Sequence, residues 1–181
     1  MKRFHQILRQ NTFWPLFGAM ALGAFNDNYI RQALNTFLTF GGFDLTARAK
    51  TILGSLATGL IIVPFFLFSA LAGELADRYP KSTLLKLYKA AELLIMILAA
   101  IFFYTKGIYP LLAILFFMGA QSAFYGPVKY SLLPEILPKE DLISGNGLVE
   151  GATFIMIVLG TVMGSYLVTK SLGPTVFLPV G

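Results

Sequence analysis

The side chains of this sequence that could act on a charged ligand are a few ionisable groups set inside long apolar stretches. Asp27 lies in Ala24-Phe-Asn-Asp-Asn-Tyr-Ile-Arg31, near the middle of the first stretch. Asp27 and Arg31 are four residues apart, so both fall on one helix face and can pair. Asn26 and Asn28 add polarity that a helix facing lipid would not tolerate. An ionisable group inside a span is costly unless it pairs or faces water, which makes each one a functional candidate. For Asp27, Asn28 and Arg31 two readings stand: an ion pair that locks the helix, or a cavity lining that meets a polar headgroup or couples to an ion.

Lys129, in Gly126-Pro-Val-Lys-Tyr-Ser131, follows an uninterrupted apolar run. It reads either as an anchor snorkelling to the interface or as a cavity cation within reach of a phosphate, Asp27 or Glu150. Pro127 removes a backbone donor beside it and tends to kink the helix. Glu150 follows Asn146 at i, i+4, so the two share a face of the last apolar stretch. Glu92 stands three residues after Lys89, the spacing of an intrahelical pair. Nothing here suggests catalysis. There is no Cys, and the one histidine, His5, has Gln10 five residues on, so the His-x4-Asp acyltransferase pattern is missing. With no nucleophile–base pair and no ligand cluster, no catalytic residue, metal or cofactor is expected.

The elements that must carry these residues are membrane helices. The chain has 181 residues, 56% hydrophobic and 13% charged, with mean hydropathy +0.72. A soluble domain carries roughly a quarter charged residues. Seventeen Phe and zero Cys exclude a disordered tail and a disulfide-stapled module. The net charge of +5 then reports topology rather than nucleic-acid binding. A crossing helix needs about 20 apolar residues. Uncharged runs of 23, 22 and 19 residues cover 51–73, 107–128 and 151–169. Two further stretches are apolar but broken by charge. The expected spans are 12–40, 51–73, 82–104, 108–133 and 142–169. The basic start, Met1 to Arg9, is read as the flank of a retained first span, because the following stretch is too long and too charged for a signal peptide. With that end in the cytoplasm, Lys2, Arg3, Arg9, Arg78, Lys81 and Lys139 fall inside, against Arg48, Lys50, Lys106 and Lys170 outside. Lys86 and Lys89 are expected to snorkel inward.

Gly160-x-x-x-Gly164, and Gly119 with Ala123, read as sites of close helix approach, and Pro64 as a kink. The most specific pattern is Gly73-Glu-Leu-Ala-Asp-Arg-Tyr-Pro-Lys81, read as a tight turn between two spans. There Asp77 could meet a helix N-terminus or an arginine of another bundle and latch one conformation.

That segment resembles the Gly-x-Leu-Ala-Asp-Arg-x-Gly-Arg-Lys signature of the major facilitator superfamily. Gly73, Leu75, Ala76, Asp77, Arg78 and Lys81 match; Pro80 replaces the second glycine, and the basic run is reduced to one lysine. The arginine usual in the fourth span of proton-coupled members is missing from 111–124, which argues against proton antiport of that kind. Three more segments resemble the bacterial lysophospholipid transporters: Ala24–Asn28, Tyr125-Gly-Pro-Val-Lys-Tyr-Ser-Leu-Leu-Pro-Glu135 and Leu142-Ile-Ser-Gly-Asn-Gly-Leu-Val-Glu150.

The resemblance implies an all-α membrane protein: a twelve-helix transporter of two halves built from inverted three-helix repeats, of which residues 1–181 are the N-terminal part with about five transmembrane helices. Its substrate would be a lysophospholipid such as lysophosphatidylethanolamine, moved across the bacterial inner membrane. Asp27, Asn28, Arg31, Lys129 and Glu150 would line the cavity, and Gly73, Asp77, Arg78 and Lys81 would form the cytoplasmic gate. Expected partners are membrane lipids and the absent C-terminal half, which in some members continues into acyltransferase and acyl-carrier-protein ligase domains. Two alternatives are a drug or metabolite transporter of the same superfamily, and the membrane part of a phospholipid-remodelling acyltransferase fusion. Ser171 to Gly181 reads as an external loop or the start of a sixth apolar segment.

Overall fold

The structure, a computed structural model, describes residues 13–40 and 45–172, and these form five helices. They are α1 (Phe13–Phe40), α2 (Ala47–Arg78), α3 (Lys81–Tyr104), α4 (Ile108–Ile136) and α5 (Leu142–Leu172). The basic N-terminus with Lys2, Arg3 and Arg9, and the closing apolar stretch from Gly173, lie outside the described residues. α2, α4 and α5 run several residues past the expected 51–73, 108–133 and 142–169, because neither a charge nor the end of an apolar run breaks a helix. Backbone chemistry sets the real ends. Thr46 caps α2, its hydroxyl accepting from the Ala49 amide at 3.3 Å. Tyr79 is extended (φ −112°, ψ 152°), the conformation favoured before a proline, and Pro80 opens α3. Asp77 and Arg78 therefore belong to the last turn of α2, not to a tight turn as expected; the chain reverses at Tyr79–Pro80.

Between α3 and α4 the reversal is tighter. Lys106 adopts φ 53°, and the Gly107 and Lys106 amides donate to the Phe102 and Phe103 carbonyls at 3.1 and 3.3 Å. This is the Schellman arrangement, with a lysine where glycine is usual. Pro64 is buried inside α2, and α4 continues through both Pro127 and Pro134.

Helix pairing follows the small residues. α5 lies along α1 where Gly160 and Gly164 meet the α1 backbone at Phe25, Tyr29 and Ala33. α4 lies along α2 where Gly119 meets the backbone of Ile61. α3 packs antiparallel on α4. Two apolar clusters fill the bundle. One, at the end where α1 begins, gathers Phe13, Leu16, Met20, Leu84 and Val128; the other, at the opposite end, gathers Leu34, Phe37, Leu38, Leu111 and Leu115.

Four of the five helices, α2 to α5, are long and apolar enough to cross a membrane. α1 has the length, 28 residues, but is interrupted by Asn26, Asp27, Asn28, Arg31, Gln32 and Asn35. Its polar groups are accommodated because it is the most enclosed helix with α4, while α2, α3 and α5 turn apolar side chains outward. Phe66, 83% exposed, shows the consequence: such a surface demands lipid or further protein.

Candidate functional site

Charged and polar side chains gather between the two apolar clusters. Asp27, on α1, faces α4, where the Ser122 hydroxyl donates to its Oδ2 at 2.9 Å. Ser122 lies 3.4 Å from the Gln121 amide oxygen, and Gln121 Nε2 donates to the Tyr88 carbonyl of α3 at 3.3 Å. One turn of polar side chains on α4 thus joins α1 to α3 through the centre of the bundle.

Of the two readings left open for Asp27 and Arg31, the direct ion pair does not form. Arg31 is exposed and donates to the Asn28 Oδ1, while Asn28 Nδ2 donates to the Ala24 carbonyl at 2.7 Å. Ser122 on the neighbouring helix α4 holds the Asp27 carboxylate instead. The Lys89–Glu92 pair does form, at 2.6 Å, and it reaches further than an intrahelical contact. Glu92 is buried, and its other oxygen accepts from Asn26 Nδ2 of α1 at 2.9 Å. Lys89 does not snorkel to the end of its helix. Its ammonium sits 4.7 Å above the Tyr125 ring and against Gly23 of α1, where an added Cβ would approach it to 2.7 Å. A cation over an aromatic face is stabilised by the ring quadrupole, which helps hold Lys89 within the bundle.

Lys129 and Glu150, expected from the sequence to be within reach of each other, are brought together across α4 and α5 at 3.4 Å. Lys129 is 12% exposed and Glu150 39%, so the lysine is the enclosed partner. Its ammonium also lies 5.1 Å over the Tyr130 ring. Asn146 is exposed, one turn before Glu150.

The residues expected to gate sit where α2 and α4 end and α3 begins. Arg78 pairs with Glu74 of its own helix at 2.7 Å, and Asp77 is exposed. Lys81 bridges α3 to Glu135 of α4 at 2.5 Å, while a Cβ on Gly73 would meet nothing within 4 Å. Lys81→Ala is expected to lower stability by under about 1 kcal/mol in detergent unfolding, because exposed ion pairs are screened; Glu135 of this pair is 54% exposed.

Sequence reading missed Ser122, Gln121 and Gly23. Adjacent polar residues inside an uncharged apolar run were a usable signal for the first two; nothing in the sequence marks Gly23. No group of three or more His, Asp or Glu able to hold a metal occurs among the described residues. The arrangement can hold opposite charges in an apolar bundle.

These features are those of a membrane transporter bundle, and the chain belongs to the major facilitator superfamily, which it matches over residues 10–180. It is similar to three proteins named lysophospholipid transporter LplT. The one from Photorhabdus laumondii is 31% identical over 108 residues, 60% of this chain and 26% of the relative. Those from Serratia proteamaculans and Yersinia enterocolitica are 28% and 27% identical, over 82% and 86% of this chain and 34% and 35% of the relatives. The chain therefore spans about a third or less of the length of these relatives. No solved structure matches it significantly.

Proposed function

We propose that this chain is the N-terminal part of a transporter that moves lysophospholipid, for example lysophosphatidylethanolamine, across the bacterial inner membrane by alternating access. In this reading all five helices span, α1 included, with the N-terminus cytoplasmic, and the rest of the cavity comes from a second half. The observation that carries it is the Lys129–Glu150 contact, opposite charges on neighbouring apolar helices at 3.4 Å. A zwitterionic headgroup carries the same two charges, so it can exchange with the pair rather than cross the apolar layer unmatched. The single acyl chain meanwhile stays along apolar helix faces. Asp27, with Asn28 and Arg31 beside it, serves the headgroup deeper in the bundle. The exposed Asp77 and Arg78, with Gly73 and Lys81, form the gate that meets the other half. The shared name of the relatives supports the substrate class.

The test is uptake of labelled lysophosphatidylethanolamine by cells expressing the transporter that carries this chain. Lys129→Ala and Asp27→Ala are each expected to lower uptake at least about tenfold at normal membrane abundance, a loss of about 1.4 kcal/mol or more in transport efficiency. Unchanged uptake in both variants would sink the assignment. Competition by a small hydrophilic solute, but not by lysolipid, would move it to the drug and metabolite transporters.

A further inference from the structure

A polar groove of about 440 Å³ opens between the last turns of α1 and the first turns of α2. Among the described residues on its walls, Lys50 carries the one charge. Its ammonium donates to the Thr39 carbonyl of α1 at 3.0 Å, which leaves two further N–H groups to be satisfied. Lys81, Lys89 and Lys129 each contact a carboxylate, whereas no carboxylate among the described residues contacts Lys50. Asn35 of α1 and Ser55 of α2 line the same space, and neither side chain has a hydrogen-bond partner among the described residues. The Thr51 and Thr58 hydroxyls donate to the Ala47 and Gly54 carbonyls of their own helix, both at 3.1 Å, so their oxygens remain available as acceptors.

We propose that this groove binds a phosphate-type oxyanion, carried by a phospholipid headgroup or free as inorganic phosphate, with Lys50, Asn35 and Ser55 as its donors. The walls support this first. A partly enclosed ammonium without a counter-charge is completed by an oxyanion through charge-assisted hydrogen bonds, and two neutral donors from different helices converge beside it. The placement on α1 supports it independently. Arg31, Asn35 and Thr39 recur every four residues, and Asn28 stands three before Arg31, so one polar stripe leads from the groove to the Asn28–Arg31 contact. Asn35 lies about 12 Å of helical rise from Asp27. Leu34, Phe37 and Leu38 around the stripe are buried, so the polar side chains keep to one face.

In the orientation proposed above, this end of the bundle faces the periplasm, and a lysolipid from that side would meet Lys50 before Arg31 and Asp27. That order of contact rests on the transport reading; the oxyanion site does not.

Thr51→Cys on the groove wall gives a direct readout: the rate of maleimide labelling at its peptide, measured by mass spectrometry. The transporter that carries this chain is held in dodecyl maltoside micelles, which contain no phosphate. Lysophosphatidylethanolamine is expected to slow labelling several-fold, and a monoacylglycerol with the same acyl chain is not. Protection by the lysolipid assigns the site to a headgroup; protection by inorganic phosphate alone assigns it to the free ion. In either case protection should vanish in Lys50→Gln and persist in Lys50→Arg. It should vanish also in Gly54→Leu, because a Cβ at Gly54, on the same wall, meets nothing within 4 Å and the added side chain fills the groove without disturbing the bundle. No protection by either phosphate, equal protection by monoacylglycerol, or protection unchanged in Lys50→Gln overturns the proposal.

Uptake tests the order of contact. With a headgroup as the source, Lys50→Gln should raise the half-saturating lysolipid concentration about tenfold, the scale of one charge-assisted contact, and leave the maximal rate unchanged. A fall in maximal rate at an unchanged half-saturating concentration overturns that order. Intact uptake in Lys129→Ala and Asp27→Ala would remove the transport reading and leave the labelling result standing, so the two fail separately.

Discussion

Glu92→Ala is expected to destabilise the bundle by about 3 kcal/mol, at the lower end of the range for breaking a buried ion pair. Both carboxylate oxygens are engaged: Oε2 by the Lys89 ammonium at 2.6 Å, Oε1 by Asn26 of α1 at 2.9 Å. Truncation removes the α1–α3 hydrogen bond and takes from the Lys89 ammonium, beside Gly23 and Tyr125, the carboxylate it directly contacts. The lower end applies because Lys89 keeps 24% exposure and can reorient toward polar surroundings. Replacing both partners, Lys89→Met with Glu92→Met, should recover most of the loss, since two apolar side chains need no partner. Unfolding of purified chain in detergent micelles measures all three. If the double variant is as unstable as Glu92→Ala, lost packing rather than the unpaired charge is the cause.

Gly160→Leu should separate α5 from α1 and cost about 3 kcal/mol or more, the scale of severe overpacking. A Cβ at Gly160 would lie 2.5 Å from the Phe25 carbonyl oxygen and 3.1 Å from the Tyr29 nitrogen. Both are backbone atoms of α1, so no side chain can rotate away; the helices must part. Gly164 makes the same approach one turn later, against Tyr29 and Ala33, so a shift that relieves one site strains the other. The hydrogen bond from Thr36 to Ser165, 3.2 Å long, would be lost with the separation. Gly151→Ala on the same helix is the control. Its Cβ meets nothing within 4 Å, and it should be neutral or stabilise by up to about 1 kcal/mol through helix propensity. Equal effects at Gly160 and Gly151 would mean that close approach does not hold this pair.

These two expectations show how unevenly the site could be read. Gly160 and Gly164 stand out at i, i+4 in a charge-free run, and their spacing alone pointed to a close helix contact. Lys129 and Glu150 were legible as possible partners because each stood at the edge of an uncharged apolar run. Lys89 and Glu92 were legible only as a pair. That the pair also binds Asn26 depends on the register of α3 against α1, which no local pattern carries. Asp27 shows the same limit more sharply. Its spacing to Arg31 is right for an ion pair, yet rotation of α1 presents it to Ser122 and leaves Arg31 exposed. The turn after α2 failed for a different reason: Gly73 to Arg78 contains nothing that breaks a helix, and the proline two residues later sets the end.

By itself the sequence determined the all-helical class, the apolar segments and which charges lie within them. Those properties follow from composition and from runs of side chains along one chain, because the energy of placing a charge in an apolar layer depends on the charge first. Only the tertiary structure decided which charge meets which partner, which helices lie in contact and where a groove stays open. Those depend on the rotation and register of one helix against another, set by backbone approach at Gly119, Gly160 and Gly164 over distances local periodicity cannot encode.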